Sequence, residues 1–274
     1  ESTDEAIARV NERIDAGRPV AVSVDMFYMK YLPEFMHVHT PAHFIVLVGR
    51  EGDTYAVSDP YSDKIDSLDI GDLRPALSTK APMSPNNMVF YIEKAPTGID
   101  WKKAVKSGIS RTVNRMLILP IIRNIISIIG FEGINAFAKK IPQWPDKYKG
   151  FDLREGILYM AVIFEDQGTG GGAFRLMYGA FLQEAADMFD SAELRELSGR
   201  MIENGKAWRE ASRRLMRAGR KLPVRDEEYP DWMAQHGKAL RESLDDIKSL
   251  YRERAAFEKV FFKDLKKANG RLKS

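Results

Sequence analysis

Cysteine is absent from all 274 residues of the chain. Its absence excludes disulfide bonds, thiolate metal ligands and a cysteine nucleophile among these residues, and it suits the cytoplasmic location that we expect. Long apolar runs are also missing. The stretch Leu117–Phe131 is too short for a bilayer span and is interrupted by Pro120 and Arg123, so it predicts a buried helix and no membrane association.

Charge is modest overall but unevenly placed. The net formal charge is +3, whereas residues 101–150 hold ten Lys or Arg against two acidic residues and residues 200–225 hold nine against two. Such segments suit an acidic partner, or they are the solvated faces of long helices. The run Arg209–Lys221 contains no aromatic residue and has only Trp208 beside it. We therefore expect no nucleic-acid partner.

The length favours two domains, and the hydrophobic pattern changes near Pro96. We predict an α+β fold: residues 1–96 form an antiparallel-sheet domain, and residues 97–274 form an all-α helical domain. The first domain should contain the helix Glu5–Ala16 capped by Asp4, the strand Pro19–Val24, an irregular loop Asp25–Pro41, a hairpin over residues 43–59, the helix Ile70–Leu77 and the strand Asn87–Ile92.

The second domain is predicted to be built from helices broken by proline and glycine. These are Lys102–Leu119, Pro120–Ile129, Gly133–Ile141, Leu153–Asp166, Ala173–Phe189, Ala192–Ala218 and Asp231–Ala268.

The hairpin carries an ionisable residue at each open end, His43 and Asp59. An odd-length loop would place both on one face of the sheet, near enough for the carboxylate to orient the imidazole, whereas an even-length loop would separate them. Such a pair is the base and orienter of a nucleophilic site, or it is a structural hydrogen bond.

The loop before the hairpin is rich in aromatic residues and histidines. We predict that it forms a wall of a substrate cleft. The candidate substrate-binding residues are Phe27, Tyr28, Tyr31, Phe35, His37 and His39. A transition-metal site formed by His37, His39 and His43, with Glu34 or Asp59, is the alternative.

A glycine cluster, Gly168–Gly172, opens a predicted helix that begins with Ala173, Phe174 and Arg175. Free amides there, with the Arg175 guanidinium, could hold a phosphate or carboxylate, which makes Gly170, Gly171, Gly172 and Arg175 further substrate-binding candidates. A tight turn between helices is the alternative. The preceding Glu165 and Asp166 are candidate acids or ion-pair partners of local arginines.

Five segments together resemble the butirosin biosynthesis protein H family. They are Ala16–Val20 leading to Val24-Asp25, Ala42–Gly49, Val57–Pro60, Gly133–Trp144, and Gly168–Arg175 with Tyr178 and Phe181–Ala185. The resemblance implies a papain-like N-terminal domain, similar to bacteriocin-processing cysteine peptidases, followed by a helical domain of unknown function.

The resemblance also implies a thiol-dependent acyltransferase or amide-processing enzyme. The acyl group would pass from an acidic acyl-carrier protein, or another acyl thioester, through a cysteine thioester to an amine, with His43 as base, Asp59 as orienter and no cofactor. Because the chain starts at Glu1 and lacks cysteine, we expect the nucleophile in an upstream or separate N-terminal segment, or else an inactive relative. A cysteine peptidase and a non-catalytic binding or scaffold module are the alternatives, and a homo-oligomer is compatible with the sequence.

Overall fold

A computed structural model describes residues 1–81, 83–117, 129–165 and 169–273. Residues 120–128 of the predicted helix Pro120–Ile129, and with them most of the apolar stretch Leu117–Phe131, lie outside these ranges. The chain divides into two compact units, Glu1–Thr97 and Gly98–Ser274. None of the helices within the described ranges combines the length and apolar character that a bilayer crossing requires.

The first unit is an antiparallel sheet with helices packed on it. Within the described residues its elements are α1 (Thr3–Asp15), β1 (Val20–Val24), β2 (His43–Glu51), β3 (Thr54–Ser58), β4 (Ile65–Asp69), α2 (Ile70–Ser78) and β5 (Val89–Phe90), with short 3-10 helices at Met26–Tyr28 and Glu34–Met36. The strand order is β4-β3-β2-β1-β5, and every neighbouring pair is antiparallel.

Helix α1 begins at Thr3, two residues before the predicted start at Glu5. Ser2, and not Asp4, is its N-cap: the Ser2 hydroxyl accepts the Glu5 amide, and the Glu5 carboxylate accepts the Ser2 amide at 2.8 Å. The serine and the glutamate three residues later satisfy two amide groups reciprocally, since the side chain of each accepts the backbone amide of the other. The apolar face of α1 then packs on the sheet through Ile7, Val10 and Ile14.

The sheet buries one face and exposes the other. Along β2, the side chains of His43, Ile45 and Leu47 are buried, while Phe44 and Val48 are exposed. This period-2 alternation in burial is typical of a strand with one buried face.

The second unit consists of helices in its described parts. They are α3 (Trp101–Met116), α4 (Gly130–Lys140), α5 (Trp144–Lys147), α6 (Gly150–Glu165), α7 (Arg175–Phe189), α8 (Ala192–Lys221) and α9 (Tyr229–Arg271), with 3-10 turns at Ile141–Gln143 and Asp226–Glu228. A ring cluster of Phe137, Phe164, Trp208 and Tyr251 lies in its core. The α+β prediction is confirmed by the sheet and these helices.

Candidate active site

Three ionisable side chains meet at one end of the sheet. Strand β1 ends at Val24, which pairs with His43 at the start of β2, so Asp25 follows at that end. Strand β3 is antiparallel to β2 and ends at Ser58, so Asp59 emerges at the same end. Antiparallel pairing therefore gathers Asp25, His43 and Asp59 from three neighbouring strands.

A β-bulge places His43 and Asp59 on the same face. The turn is Gly52-Asp53, because Glu51 pairs with Thr54, and a two-residue loop alone would put the two side chains on opposite faces. The register shifts between Leu47 and Gly49, which leaves Val48 as the extra residue. Beyond the shift, Val46 pairs with Ser58. Asp59 thus lies diagonal to His43 on the buried face.

The two side chains are hydrogen-bonded and almost fully buried. The Nε2 atom of His43 is 2.8 Å from Oδ2 of Asp59, and the exposed fractions of the two side chains are 8% and 0%. Oδ2 also accepts the Tyr31 hydroxyl at 2.7 Å, and Oδ1 accepts the Tyr61 amide at 2.8 Å. The Tyr61 ring lies 5.6 Å from the imidazole, centroid to centroid. Tyr31, predicted only as a cleft wall, contacts the Asp59 carboxylate itself.

These contacts keep Asp59 ionised. Burial by itself raises the pKa of the Asp59 carboxyl, but the hydrogen bonds from His43, the Tyr61 amide and Tyr31 outweigh it, so the pKa lies below its usual value. Burial, followed by the bond to Asp59, raises the pKa of Tyr31 far above its usual value. At neutral pH, the carboxylate therefore accepts hydrogen bonds from an un-ionised phenol and an imidazole N–H.

A second histidine–aspartate pair lies at the same end of the sheet, and its aspartate is not among the site residues predicted from sequence. Asp25 is fully buried; its Oδ1 accepts the Thr40 amide at 2.9 Å, and its Oδ2 is 2.7 Å from Nδ1 of His39. His39 is 58% exposed and stacks on Phe27, with ring centroids 4.3 Å apart. A signal was present in the sequence, since Asp25 directly follows a buried strand.

The remaining predicted wall residues have varied surroundings. Phe27 is 41% exposed, and Tyr28 is half-buried against the core of the first unit. The Nε2 atom of His37 is 3.0 Å from the Leu32 carbonyl oxygen. The side chain of Phe35 lies outside the described part of the structure. Phe27, Tyr28 and His39 contact one another.

The structure does not support the metal alternative. The imidazoles of His37, His39 and His43 each bond a different partner. Among the described residues, no three His, Asp or Glu side chains are arranged to hold a metal ion.

Residues 169–172 of the glycine block form a tight turn before α7. Four successive amides, starting at the last glycine, already have acceptors within the chain: Gly172 donates to the Glu165 carboxylate, and Ala173, Phe174 and Arg175 donate to the carbonyls of Phe164, Thr169 and Gly172. Gly168 and Asp166 lie outside the described residues. Because these four amides are used internally, they are not available to an anion, which favours the tight-turn alternative at this helix start.

Arg175 is also engaged within the second unit. Its guanidinium makes a two-point contact with the fully buried Glu258 carboxylate, with both N–O distances 2.9 Å, and lies 4.1 Å from the Trp208 ring centroid. Glu258 further accepts Asn204 and Trp208. Glu165 pairs with Arg209 at 2.5 Å, which confirms the ion-pair alternative for that residue.

Comparison with known families covers most of the chain. Residues 1–60 match the family described as Butirosin biosynthesis protein H, N-terminal. Residues 71–265 match the Domain of unknown function (DUF4872). The chain belongs to the butirosin biosynthesis protein H family.

The N-terminal match of the butirosin biosynthesis protein H family ends one residue after Asp59 and so contains both histidine–aspartate pairs. The second match begins within α2 and extends into α9, across the division between the two compact units. A comparison with curated proteins gives no match. The chain is thus related to a biosynthesis protein.

Proposed function

We propose that the first unit supplies the general base and its orienter to a thiol-dependent acyltransferase that passes an acyl group through a cysteine thioester to an amine. One observation carries the proposal. His43 Nε2 and Asp59 Oδ2 are 2.8 Å apart, both side chains are buried, and they lie at the end of the sheet. This is the geometry of a base held by a carboxylate.

The hydrogen bond selects the reactive ring nitrogen. An ionised carboxylate is an acceptor only, so Nε2 of a neutral His43 carries the proton and Nδ1 carries the lone pair. We assign Nδ1 as the atom that accepts the thiol proton. Tyr31 and the Tyr61 amide hold Asp59 in place, which restricts the orientation of the ring.

The proposed reaction proceeds in two balanced steps. The thiolate attacks the carbonyl carbon of an acyl thioester; a new C–S bond forms, the old C–S bond breaks, and the released thiolate takes a proton from the His43 imidazolium. An amine then attacks the acyl-enzyme; a C–N bond forms, the enzyme C–S bond breaks, and the amine proton passes to His43. The attacking thiol belongs to a residue outside Glu1–Ser274, since the sequence contains no cysteine.

Transfer to an amine requires that water be kept from the acyl-enzyme. In the proposal, the stacked rings of Phe27 and His39, with Tyr28 at their edge, form the apolar wall that does so. An acidic carrier protein is the proposed acyl donor, because the second unit has strongly basic segments. A non-catalytic binding module is the second candidate, and the absence of cysteine from the sequence favours it.

The test uses the full-length protein and octanoyl-N-acetylcysteamine, a small acyl thioester. Intact mass spectrometry measures covalent acyl loading in a single turnover. His43→Ala is expected to slow loading on the order of 100-fold or more, and Asp59→Asn is expected to slow it less. The matched control is Phe44→Ala, one residue further along β2 on the exposed face.

Loading of His43→Ala at the wild-type rate would refute the base assignment. A full-length sequence without a cysteine would support the binding module. With an amine present, an amide product supports acyl transfer, whereas free octanoate alone supports a hydrolase or peptidase.

A further inference from the structure

A groove with one cationic and one aromatic wall lies in the second unit, between α8 and α9. Its cavity volume is about 510 Å³, within the range of about 300–1,000 Å³ typical of small-molecule sites. Helix α8 contributes Arg214, Arg217 and Lys221, and helix α9 contributes Trp232 and His236. All five residues belong to one compact unit that does not contain the His43–Asp59 pair.

The cationic wall retains positive charge after its internal ion pairs are counted. Arg214, Arg217 and Lys221 are three and four residues apart, so they share one face of α8. Arg214 and Arg217 both contact the single carboxylate of Glu210, at 3.0 and 2.8 Å. Among the described residues Lys221 takes part in no ion pair. Three cations with one carboxylate leave a net charge of +2 along this wall.

The aromatic wall suits a flat ring. Trp232 and His236 are four residues apart on α9, and their ring centroids are 5.2 Å apart. Trp232 is half-buried, and His236 is exposed. Two buried apolar residues, Ala218 and Leu240, also line the groove. An aromatic ring placed here would contact Trp232 and the apolar floor.

We infer that this groove binds an organic anion in which a flat aromatic ring carries a phosphate or a carboxylate. The ring would stack on Trp232, while Arg217 and Lys221 would bind the anionic group through charge-assisted hydrogen bonds. A phosphate alone would leave the aromatic wall unused, and a neutral ring would leave the cationic wall unused. The inference does not depend on the proposed acyl transfer.

Calorimetric titration of the protein with matched probes tests both halves of the inference. AMP represents an aromatic phosphate and 2-naphthoate an aromatic carboxylate; adenosine and ribose 5-phosphate are the two halves of AMP. At least one of the two aromatic anions is expected to bind. If AMP binds, its halves are expected to bind on the order of tenfold more weakly.

Two double variants distinguish binding in the groove from a general effect of positive charge on the protein surface. Arg217→Ala with Lys221→Ala is expected to weaken binding of the aromatic anion on the order of tenfold or more. Arg213→Ala with Arg220→Ala removes the same charge from exposed positions of α8 outside the groove and is expected to leave binding unchanged. Trp232→Ala should weaken binding as well, with circular dichroism verifying that each variant is folded.

Three results would overturn the inference. The first is that neither aromatic anion binds. The second is that ribose 5-phosphate binds as tightly as AMP while 2-naphthoate binding is undetectable. The third is that the two double variants weaken binding of the aromatic anion equally. The last two would reveal a non-selective phosphate or charge effect.

Discussion

Tyr31→Phe removes one hydroxyl group from the environment of Asp59 and should destabilise the first unit. The Tyr31 hydroxyl has a single hydrogen and two neighbouring acceptors, the Asp59 carboxylate at 2.7 Å and the Met29 sulfur at 3.2 Å. The carboxylate is the stronger acceptor, and a hydrogen bond to a charged group contributes about 1.5–3 kcal/mol. Since Tyr31 is half-buried, water can replace part of the lost bond. We therefore expect a loss near the lower end, about 1.5 kcal/mol.

The loss should depend on pH in a defined direction. Hydrogen bonds hold the pKa of Asp59 below its usual value, so the stabilisation they give is present above about pH 4 and is lost as pH falls through the folded-state pKa. Removal of the Tyr31 donor should raise that pKa, because the carboxylate loses one of the hydrogen bonds that favour its ionised form. The difference between wild type and Tyr31→Phe is therefore expected at pH 7 and should shrink towards pH 3.

Amide hydrogen exchange of β2 and β3 measures this effect locally. The four tryptophans all belong to the second unit, so tryptophan fluorescence does not report on the first. At pH 7 the β2 amides of Tyr31→Phe should exchange about tenfold faster than wild type, after correction for intrinsic rates. The matched control is Tyr28→Phe, whose hydroxyl makes no hydrogen bond among the described residues. Equal exchange in both variants, or an equal effect at pH 7 and pH 3, would refute the reasoning.

Three further predictions concern stability. Glu258→Ala leaves Arg175, Asn204 and Trp208 without their shared acceptor, so the free energy of unfolding should fall by about 3–5 kcal/mol. Urea unfolding followed by tryptophan fluorescence measures this loss. A loss under about 1 kcal/mol would contradict the prediction. Gly172→Ala forces alanine to a φ of +58° with its Cβ 2.7 Å from the Gly205 carbonyl oxygen. The free energy of unfolding should fall by more than about 1 kcal/mol in the same assay. In the control Gly199→Ala, the new Cβ meets open space within α8, and the free energy of unfolding should rise by about 0.5–1 kcal/mol. Ser2→Ala removes the capping box and should cost α1 about 1 kcal/mol, seen as faster exchange in its first turns; unchanged exchange there would show that the cap contributes nothing.

The sequence was most informative where periodicity was regular. The apolar faces of the long helices predicted α8 and α9 to within a few residues, and the apolar, β-branched run Phe44–Val48 predicted β2. Strand β4 was missed because its pattern is inverted: Ile65 is 58% exposed, whereas Asp66 is buried. An edge strand with its isoleucine in solvent does not show the expected alternation.

Contacts between distant residues could not be predicted. Arg175 and Glu258 are 83 residues apart, and nothing in either local sequence indicates the other. Tyr31 reaches Asp59, and His39 reaches Asp25, across an irregular loop without periodicity. The shared face of His43 and Asp59 also stayed undecided from sequence, because the bulge at Val48 has no signature in the residue pattern.

The bulge at Val48 compensates for the even length of the turn that joins β2 and β3. His43 and Asp59 are 16 residues apart, an even separation; in a regular ladder, an even separation with both side chains on one face requires a turn of odd length. The extra residue corrects the parity and permits the two-residue turn Gly52-Asp53. In family members with a three-residue turn, the same pair would meet without a bulge. Turn length and bulge should therefore vary together among relatives, while the even separation between the histidine and the aspartate is the same in both arrangements.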